Sequence, residues 1–278
     1  MKILILGASG IAGRKIYDKL RGSHEVMGTC RQSRGLASDG SRLVRLDLAD
    51  VDRVSGLLDE AKPDVIVSCV GGEFQVQYRA HEIMADYCGR RRARFIFFSS
   101  ANVFDGDDSR VHYEGDPVCA ESEYGKFKID CERLLQETLG ERSAILRFPF
   151  IWSREKGGRT DRMLQRIRQD EPIQMWERLY TNHATDEQAA SFVRYLIQEG
   201  RGGIFHVGTR DVCEYLPFVE RLLQGFAVSN YTFHIEESDT PCHMAVLPGQ
   251  RAGDAPPAPK ELYSTCGQIL DWLCRKEA

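Results

Sequence analysis

Short apolar runs alternate with amphipathic stretches through the first half of the chain. Residues 2–6 (KILIL), 24–30 (HEVMGTC), 43–46 (LVRL), 64–70 (DVIVSCV), 94–99 (RFIFFS) and 143–148 (SAILRF) are each too brief for a helix. Such runs read as strands of a parallel sheet buried on both faces. Residues 14–20, 51–61, 76–91 and 124–139 carry helical spacing between them. This order, with its short connections, predicts an α/β fold built on a doubly wound parallel sheet. Its ligand crevice is expected at the carboxyl ends of the strands. Regular alternation stops after residue 148. Helices are predicted over 159–169, 184–198, 215–224 and 261–274, with a short strand at 203–207 and an irregular loop at 248–259. We therefore expect a sheet domain over residues 1–150, with a return segment around 183–210. Residues 151–278 are expected to form a smaller α+β lobe capping the crevice.

The first strand runs directly into Gly7-Ala8-Ser9-Gly10-Ile11-Ala12-Gly13, and a helix follows. Glycine at this spacing permits a tight turn and a close backbone approach, and the helix N-terminus offers free N–H groups to a pyrophosphate. A glycine turn between strand and helix predicts a Rossmann-type dinucleotide site. After the second strand, where an Asp or Glu would hold a ribose 2′-hydroxyl, the chain has Arg31-Gln32-Ser33-Arg34. Arg31 and Arg34 suit a 2′-phosphate, so NADPH is expected, with NADH as the alternative. Asp47-Leu48 is placed to meet the adenine. Cys69, Val70 and Gly71, closing the fourth strand, are placed to pass close to the nicotinamide half.

The fifth strand ends in Ser99-Ser100, and Tyr124 and Lys128 follow on one helix face, four residues apart. A hydroxyl from either serine, a phenol and an ammonium together can protonate a carbonyl oxygen.

The glycine turn, the serines, Val103-Phe104-Asp105-Gly106, Tyr113-Glu114, Pro117, Tyr124-Gly125-Lys126-Phe127-Lys128 and Glu132 together resemble the extended short-chain dehydrogenase/reductase family. Within it, the similarity is to the dTDP-4-dehydrorhamnose reductase branch. Arg147-Phe148-Pro149-Phe150-Ile151-Trp152 and Gly203-Ile204-Phe205-His206-Val207 resemble later strands of that branch. The resemblance implies hydride transfer to a keto carbon of a nucleotide-linked sugar. Tyr124 would donate the proton, Lys128 would lower the Tyr124 pKa and hold the ribose, and Ser100 would orient the carbonyl. Phe148 would join the cofactor site. Asn102, Phe104, Phe150 and Trp152 would face the substrate. The chain departs from the branch at Ala101-Asn102, at Ser68-Cys69-Val70 and at Phe150, which leaves another 4-keto or 3-keto sugar open. An epimerase or dehydratase of the same family is the alternative enzyme, although Ala101-Asn102 lacks the carboxylate that dehydration wants. A dinucleotide-binding regulatory subunit, similar to that of methionine adenosyltransferase, is the alternative of another kind.

Composition narrows the partners. A net charge of −4 gives no field for nucleic acid, and the basic run Arg90-Arg91-Arg92 reads as a solvated helix end. No apolar run reaches the ~18–20 residues of a membrane span. The start MKILILGASG is a strand and turn rather than a leader peptide. Nine cysteines without a CxxC pair indicate no zinc site and no redox dithiol, and read as free thiols in a reducing cytoplasm. No metal is expected; His81 and His206 read as core or surface histidines, and Asp105, Asp107 and Asp108 as turn residues. Arg159 and Arg162 are candidates for a diphosphate, Trp152 and Trp176 for stacking or packing. A homodimer is compatible with all of this.

Overall fold

In the computed structural model, which describes residues 1–31, 42–251 and 257–275, the apolar runs become strands and the stretches between them helices. The first part of the chain is β1 (Lys2–Leu6), α1 (Ile11–Leu20), β2 (Glu25–Cys30), β3 (Leu43–Arg45), α2 (Val51–Ala61), β4 (Val65–Ser68), α3 (Phe74–Arg91), β5 (Arg94–Ser100), α4 (Glu123–Leu139) and β6 (Ser143–Phe148). There follow β7 (Phe150–Trp152), α5 (Arg159–Arg168), β8 (Ile173–Trp176), β9 (Leu179–Thr181), β10 (His183–Thr185), α6 (Asp186–Glu199) and β11 (Gly203–His206). The chain ends in β12 (Cys213–Glu214), α7 (Tyr215–Gly225), β13 (Phe233–Glu236), β14 (Cys242–Met244) and α8 (Cys266–Cys274).

Seven strands form one sheet in the order β11-β6-β5-β4-β1-β2-β3, and every pairing in it is parallel. Side chains alternate across the sheet. Ile3 and Ile5 of β1 enter a core with Ile16, Phe192 and Leu196, from α1 and α6. Leu4 and Leu6 enter the other, with Leu57, Met84 and Leu135 from α2, α3 and α4. Both faces of β1 are therefore buried, which is why KILIL contains no alternation. The chain order reverses between β1 and β4, and their carboxyl ends splay around a crevice.

The smaller lobe is built from two- and three-stranded pieces, β10-β7, β12-β9-β14 and β13-β8, around Trp152, Tyr215, Phe218 and Leu222. Strands of two to four residues show no readable period, so the sequence pattern misses most of them. Residues 183–185 pair with β7 instead of starting a helix, and α6 begins only behind a Thr185–Gln188 capping box. The helix expected from residue 261 likewise begins at Cys266, because Thr265 and Gln268 form a second capping box there. Among the described residues, no helix is long and apolar enough to cross a membrane.

Candidate active site

The crevice holds a groove of about 480 Å³ at the ends of β1, β2 and β4. Gly7 adopts φ +79°, a left-handed conformation that turns the chain out of β1. A side chain at Gly13 would bring its Cβ 2.2 Å from the Gly7 carbonyl oxygen, so only glycine lets α1 approach the turn this closely. Gly10 caps α1 without a side-chain hydrogen bond, and the first turn holds no acidic residue. Bare N–H groups and the helix dipole there suit a phosphate. Gly7, Ser9, Gly10, Arg31, Asp47, Leu48, Cys69, Val70 and Gly71, expected from the sequence at a dinucleotide, all line this groove. Ile11, Ala12 and Gly13 form the first turn of α1 beside it. Arg34 lies outside the described residues. Thr29 and Gln77 also line the groove and were not among the residues expected at the dinucleotide. The Thr29 hydroxyl accepts from Gly7 N at 3.2 Å, and the Gln77 amide donates to Gly72 O at 2.7 Å, so each fixes a turn of the groove.

Successive residues of β5 point to opposite faces, and this separates the two serines. Ser99 is buried and gives its hydroxyl proton to Glu132 in a short bond. Ser100 is half-buried, donates to Asn102 Oδ1 at 2.8 Å and accepts from Asn102 N at 3.2 Å. The Ser100 hydroxyl also acts on the Tyr124 phenol, against the rise that burial causes. Of the two candidates, Ser100 is therefore the one that meets Tyr124. Ser122 caps α4 by accepting from Gly125 N, and Asp105 anchors that start by accepting from the Glu121 and Ser122 N–H groups at 2.7 and 3.1 Å. The loop from Ala101 thereby holds Tyr124 in place.

Lys128 is 4% exposed, and its ammonium donates to the Phe98 carbonyl at 2.8 Å. Burial lowers its pKa to about 8, against the opposing influence of Cys131, Glu132 and Cys69. Its Nζ stands 5.5 Å from the Tyr124 ring centre and 4.6 Å from that of Phe97. The expected lowering of the Tyr124 pKa by Lys128 is not found. Burial raises that pKa, and only the Ser100 hydrogen bond opposes it. The reason is geometric, since the ammonium is committed to Phe98 O rather than to the phenol oxygen.

Three expected contacts are corrected. Phe148 packs against Phe98 at 4.6 Å in the core and does not line the groove. Phe104 is 3% exposed, stacked on His112 at 4.2 Å with the Arg147 guanidinium 5.0 Å above its other surface. Trp152 is fully enclosed in the smaller lobe, its indole N–H donating to His183 Nδ1 at 3.0 Å. Large aromatic rings serve cores and sites alike, and here enclosure claims all three. Phe150 remains half-buried at the lobe surface, with Tyr215 at 5.0 Å and the Arg159 guanidinium 4.2 Å over its ring. Asn102 stays beside Ser100, tied to it and to Asp105.

Beneath the cleft runs a buried polar chain. Arg147 holds both carboxylate oxygens of Glu132 and reaches His206 Nε2 at 3.5 Å. Glu114 accepts from the backbone N–H groups of His206 and Gly249, tying the loop after β5 to β11 and to the C-terminal part of the chain. His81 is a core residue, paired with Ser68 Oγ at 2.8 Å.

The chain thus combines a strand–glycine–helix groove, Ser100 at the end of β5, Tyr124 and the buried Lys128 on α4, and a second, smaller lobe. The family model for the RmlD substrate-binding domain matches residues 1–264. The chain belongs to this family. Among relatives, the RmlD-family chain is 24% identical to a probable low-salt glycan biosynthesis reductase of Haloferax volcanii, over 81% of its own length and 80% of that protein's. It is 32% identical to a dTDP-4-dehydrorhamnose reductase of Aggregatibacter actinomycetemcomitans, over 52% of its length and 50% of that protein's. Among solved structures it is similar to the dTDP-4-dehydrorhamnose reductase of Bacillus anthracis in complex with NADP, with TM-score 0.77 and 16% identity, covering 98% of each chain. At that identity the structural likeness speaks for the fold, a parallel seven-stranded sheet with flanking helices.

Proposed function

We propose that this RmlD-family protein reduces a keto group on a nucleotide-linked sugar of the 4-keto-6-deoxy type, using NADPH, with Tyr124 as proton donor. The observation that carries the reading is the placing of Ser100 at the end of β5 and of Tyr124, with the buried Lys128 5.5 Å from its ring centre, at the start of α4, in a sheet whose neighbouring strand ends form the glycine-lined groove. The names of the relatives support it: two are reductases acting on dTDP-4-dehydrorhamnose, and one of these holds NADP.

The dinucleotide, when bound, supplies the hydride; the bare N-terminus of α1 and Gly7 would hold its pyrophosphate, and Arg31 its 2′-phosphate. Ser100 donates to the substrate carbonyl oxygen and orients it. Tyr124 gives its proton to the same oxygen as charge develops there. A phenol with a raised pKa is fully protonated near neutrality, which suits a donor. Lys128 supplies positive charge behind the ring. Phe150 and Arg159, backed by the buried Tyr215, form a wall on which a nucleotide or sugar can rest. Asn102, bonded to Ser100 and Asp105, offers no acid for dehydration, which favours a reductase over a dehydratase.

The test is oxidation of NADPH followed by absorbance with a panel of 4-keto-6-deoxy sugar nucleotides. Turnover with at least one is expected. Folded, cofactor-loaded protein inert towards every keto sugar would instead support the regulatory-subunit reading.

A further inference from the structure

Away from the groove, three segments distant in sequence converge in the smaller lobe. The Sγ atoms of Cys213 and Cys266 and a ring nitrogen of His183 all lie within 4.8 Å of one another. Cys213 opens β12, Cys266 is the first residue of α8, and His183 begins β10.

The neighbours assign the protons. Trp152 Nε1 can only donate, and it points at His183 Nδ1 from 3.0 Å. That nitrogen carries no hydrogen, so the neutral ring bears its proton on Nε2. Nε2 lies 3.3 Å from Cys213 Sγ, and the N–H is aimed at the sulfur. Cys266 sits among acceptors instead. The Asp211 carbonyl is 3.5 Å from its sulfur and Thr209 Oγ1 is 3.4 Å away, the latter's own proton being given to the Asp211 carbonyl. The Asp211 carboxylate also accepts from the Cys266 N–H at 2.8 Å, which puts negative charge beside the second sulfur. One sulfur faces a donor and the other faces acceptors. The Cys266 thiol facing it, and then the His183 N–H, hold the Cys213 thiol below its ordinary range, while Cys266 is pushed up. A soft metal ion on these three groups would need the lone pair of His183 Nε2, where Trp152 fixes a proton.

We propose that Cys213 and Cys266 are a reactive dithiol, in which Cys213 attacks a hydroperoxide and Cys266 resolves the product to a disulfide. The Cys213 thiolate attacks the terminal peroxide oxygen; the O–O bond breaks, and the departing alkoxide takes a proton from solvent. Cys213 is left as a sulfenic acid. The Cys266 sulfur then attacks the Cys213 sulfur, the S–O bond breaks, and water leaves with the Cys266 proton. Two thiols and one hydroperoxide thus give one disulfide, one alcohol and one water, with the sulfurs oxidised and the peroxide oxygens reduced. Burial fits the roles, since Cys213 is partly exposed to an oxidant and Cys266 is enclosed. Closure would draw β12 towards α8. Tyr215, two residues beyond Cys213, carries the wall made with Phe150 and Arg159, so oxidation is also expected to reach the lobe surface.

The experiment treats the whole reduced protein with an equimolar amount of hydrogen peroxide, alkylates remaining thiols and maps peptides by mass spectrometry. A Cys213–Cys266 cross-linked peptide is expected, with the other cysteines still alkylated. In Cys266→Ser, a sulfenic acid trapped by dimedone at Cys213 is expected. In Cys213→Ser, Cys266 should remain unoxidised. Thermal melting of each variant verifies the fold, and the wild-type mapping stands alone should a variant not fold. The proposal is overturned if another cysteine reacts first, if no cross-link forms, or if the purified protein carries stoichiometric zinc or copper that shields both sulfurs.

Discussion

Glu132 and Arg147 meet through two hydrogen bonds of 3.0 and 2.7 Å, with the side chains only 4% and 3% exposed. The pair joins α4, which carries Tyr124 and Lys128, to β6. Paired buried charges add little net stability over a well-packed apolar pair, but a single one left behind is costly. Arg147→Met should therefore destabilise the fold by about 3–5 kcal/mol, read from denaturant unfolding. A loss below about 1 kcal/mol would show that Glu132 finds another partner.

The two serines of β5 should respond differently. Ser100→Ala is expected to lower kcat by about 10–100-fold with the melting temperature unchanged, since it removes one hydrogen bond to the reacting oxygen. Ser99→Ala removes a donor from Glu132, so it should lower stability by about 1–3 kcal/mol while sparing kcat. The reverse pattern would exchange their roles. Tyr124→Phe should abolish turnover and leave NADPH binding intact.

Gly13→Ala tests the glycine cradle. Its Cβ would stand 2.2 Å from the Gly7 carbonyl oxygen, so α1 must retreat or the turn must open. Dinucleotide affinity, measured by quenching of protein fluorescence, should fall at least about tenfold, equivalent to about 1.4 kcal/mol. Arg31→Ala should weaken NADPH more than NADH. Equal weakening of both would remove Arg31 from the 2′-phosphate.

Two buried groups predict dependences on pH, one of stability and one of turnover. Burial raises the Glu114 carboxyl to about 7, against hydrogen bonds from His206 and Gly249 and the charge of Arg147. Folding thus favours its protonated form. That contribution is complete below its unfolded value near 4.5 and is lost as pH rises through about 7. Denaturant midpoints measured from about pH 5 to about pH 8 should fall, and Glu114→Gln should flatten the slope while costing about 1–3 kcal/mol throughout.

For Lys128, placed in the proposed site, the prediction concerns turnover. Its ammonium, lowered to about 8 by burial, is lost as pH rises through that value. Turnover should decline along an alkaline limb near there, and Lys128→Arg, where active, should carry the limb upward. A rate that stays level well above that pH would separate the ammonium from the reaction.

What could be read from the residues was what is local. KILIL, the glycine turn and the four-residue interval from Tyr124 to Lys128 each fit within one strand, turn or helix, where periodicity and steric rules act directly. Helical spacing gave the nearness of Tyr124 and Lys128 but not the direction of the ammonium, which the Phe98 carbonyl decides. Phe104 and Trp152 misled because an aromatic near a site is chemically the same as one beneath it. Residues at 183, 213 and 266 have no motif in common, and the absence of CxxC concealed two sulfurs that only the lobe's topology unites. Short strands such as β9 and β12 were invisible for a related reason, since each is held by partners far along the chain.

The place of β11 in the chain has a consequence for how the molecule is made. This strand completes the main sheet against β6, yet it is synthesised only after β7 to β10 and α6. Until residue 206 has left the ribosome, β6 presents an open hydrogen-bonding edge, and the core face that Phe192 and Phe205 fill lacks both rings. A nascent chain ending near residue 150 is therefore an unfinished sheet, expected to recruit chaperones or to aggregate rather than to fold as a cofactor-binding half.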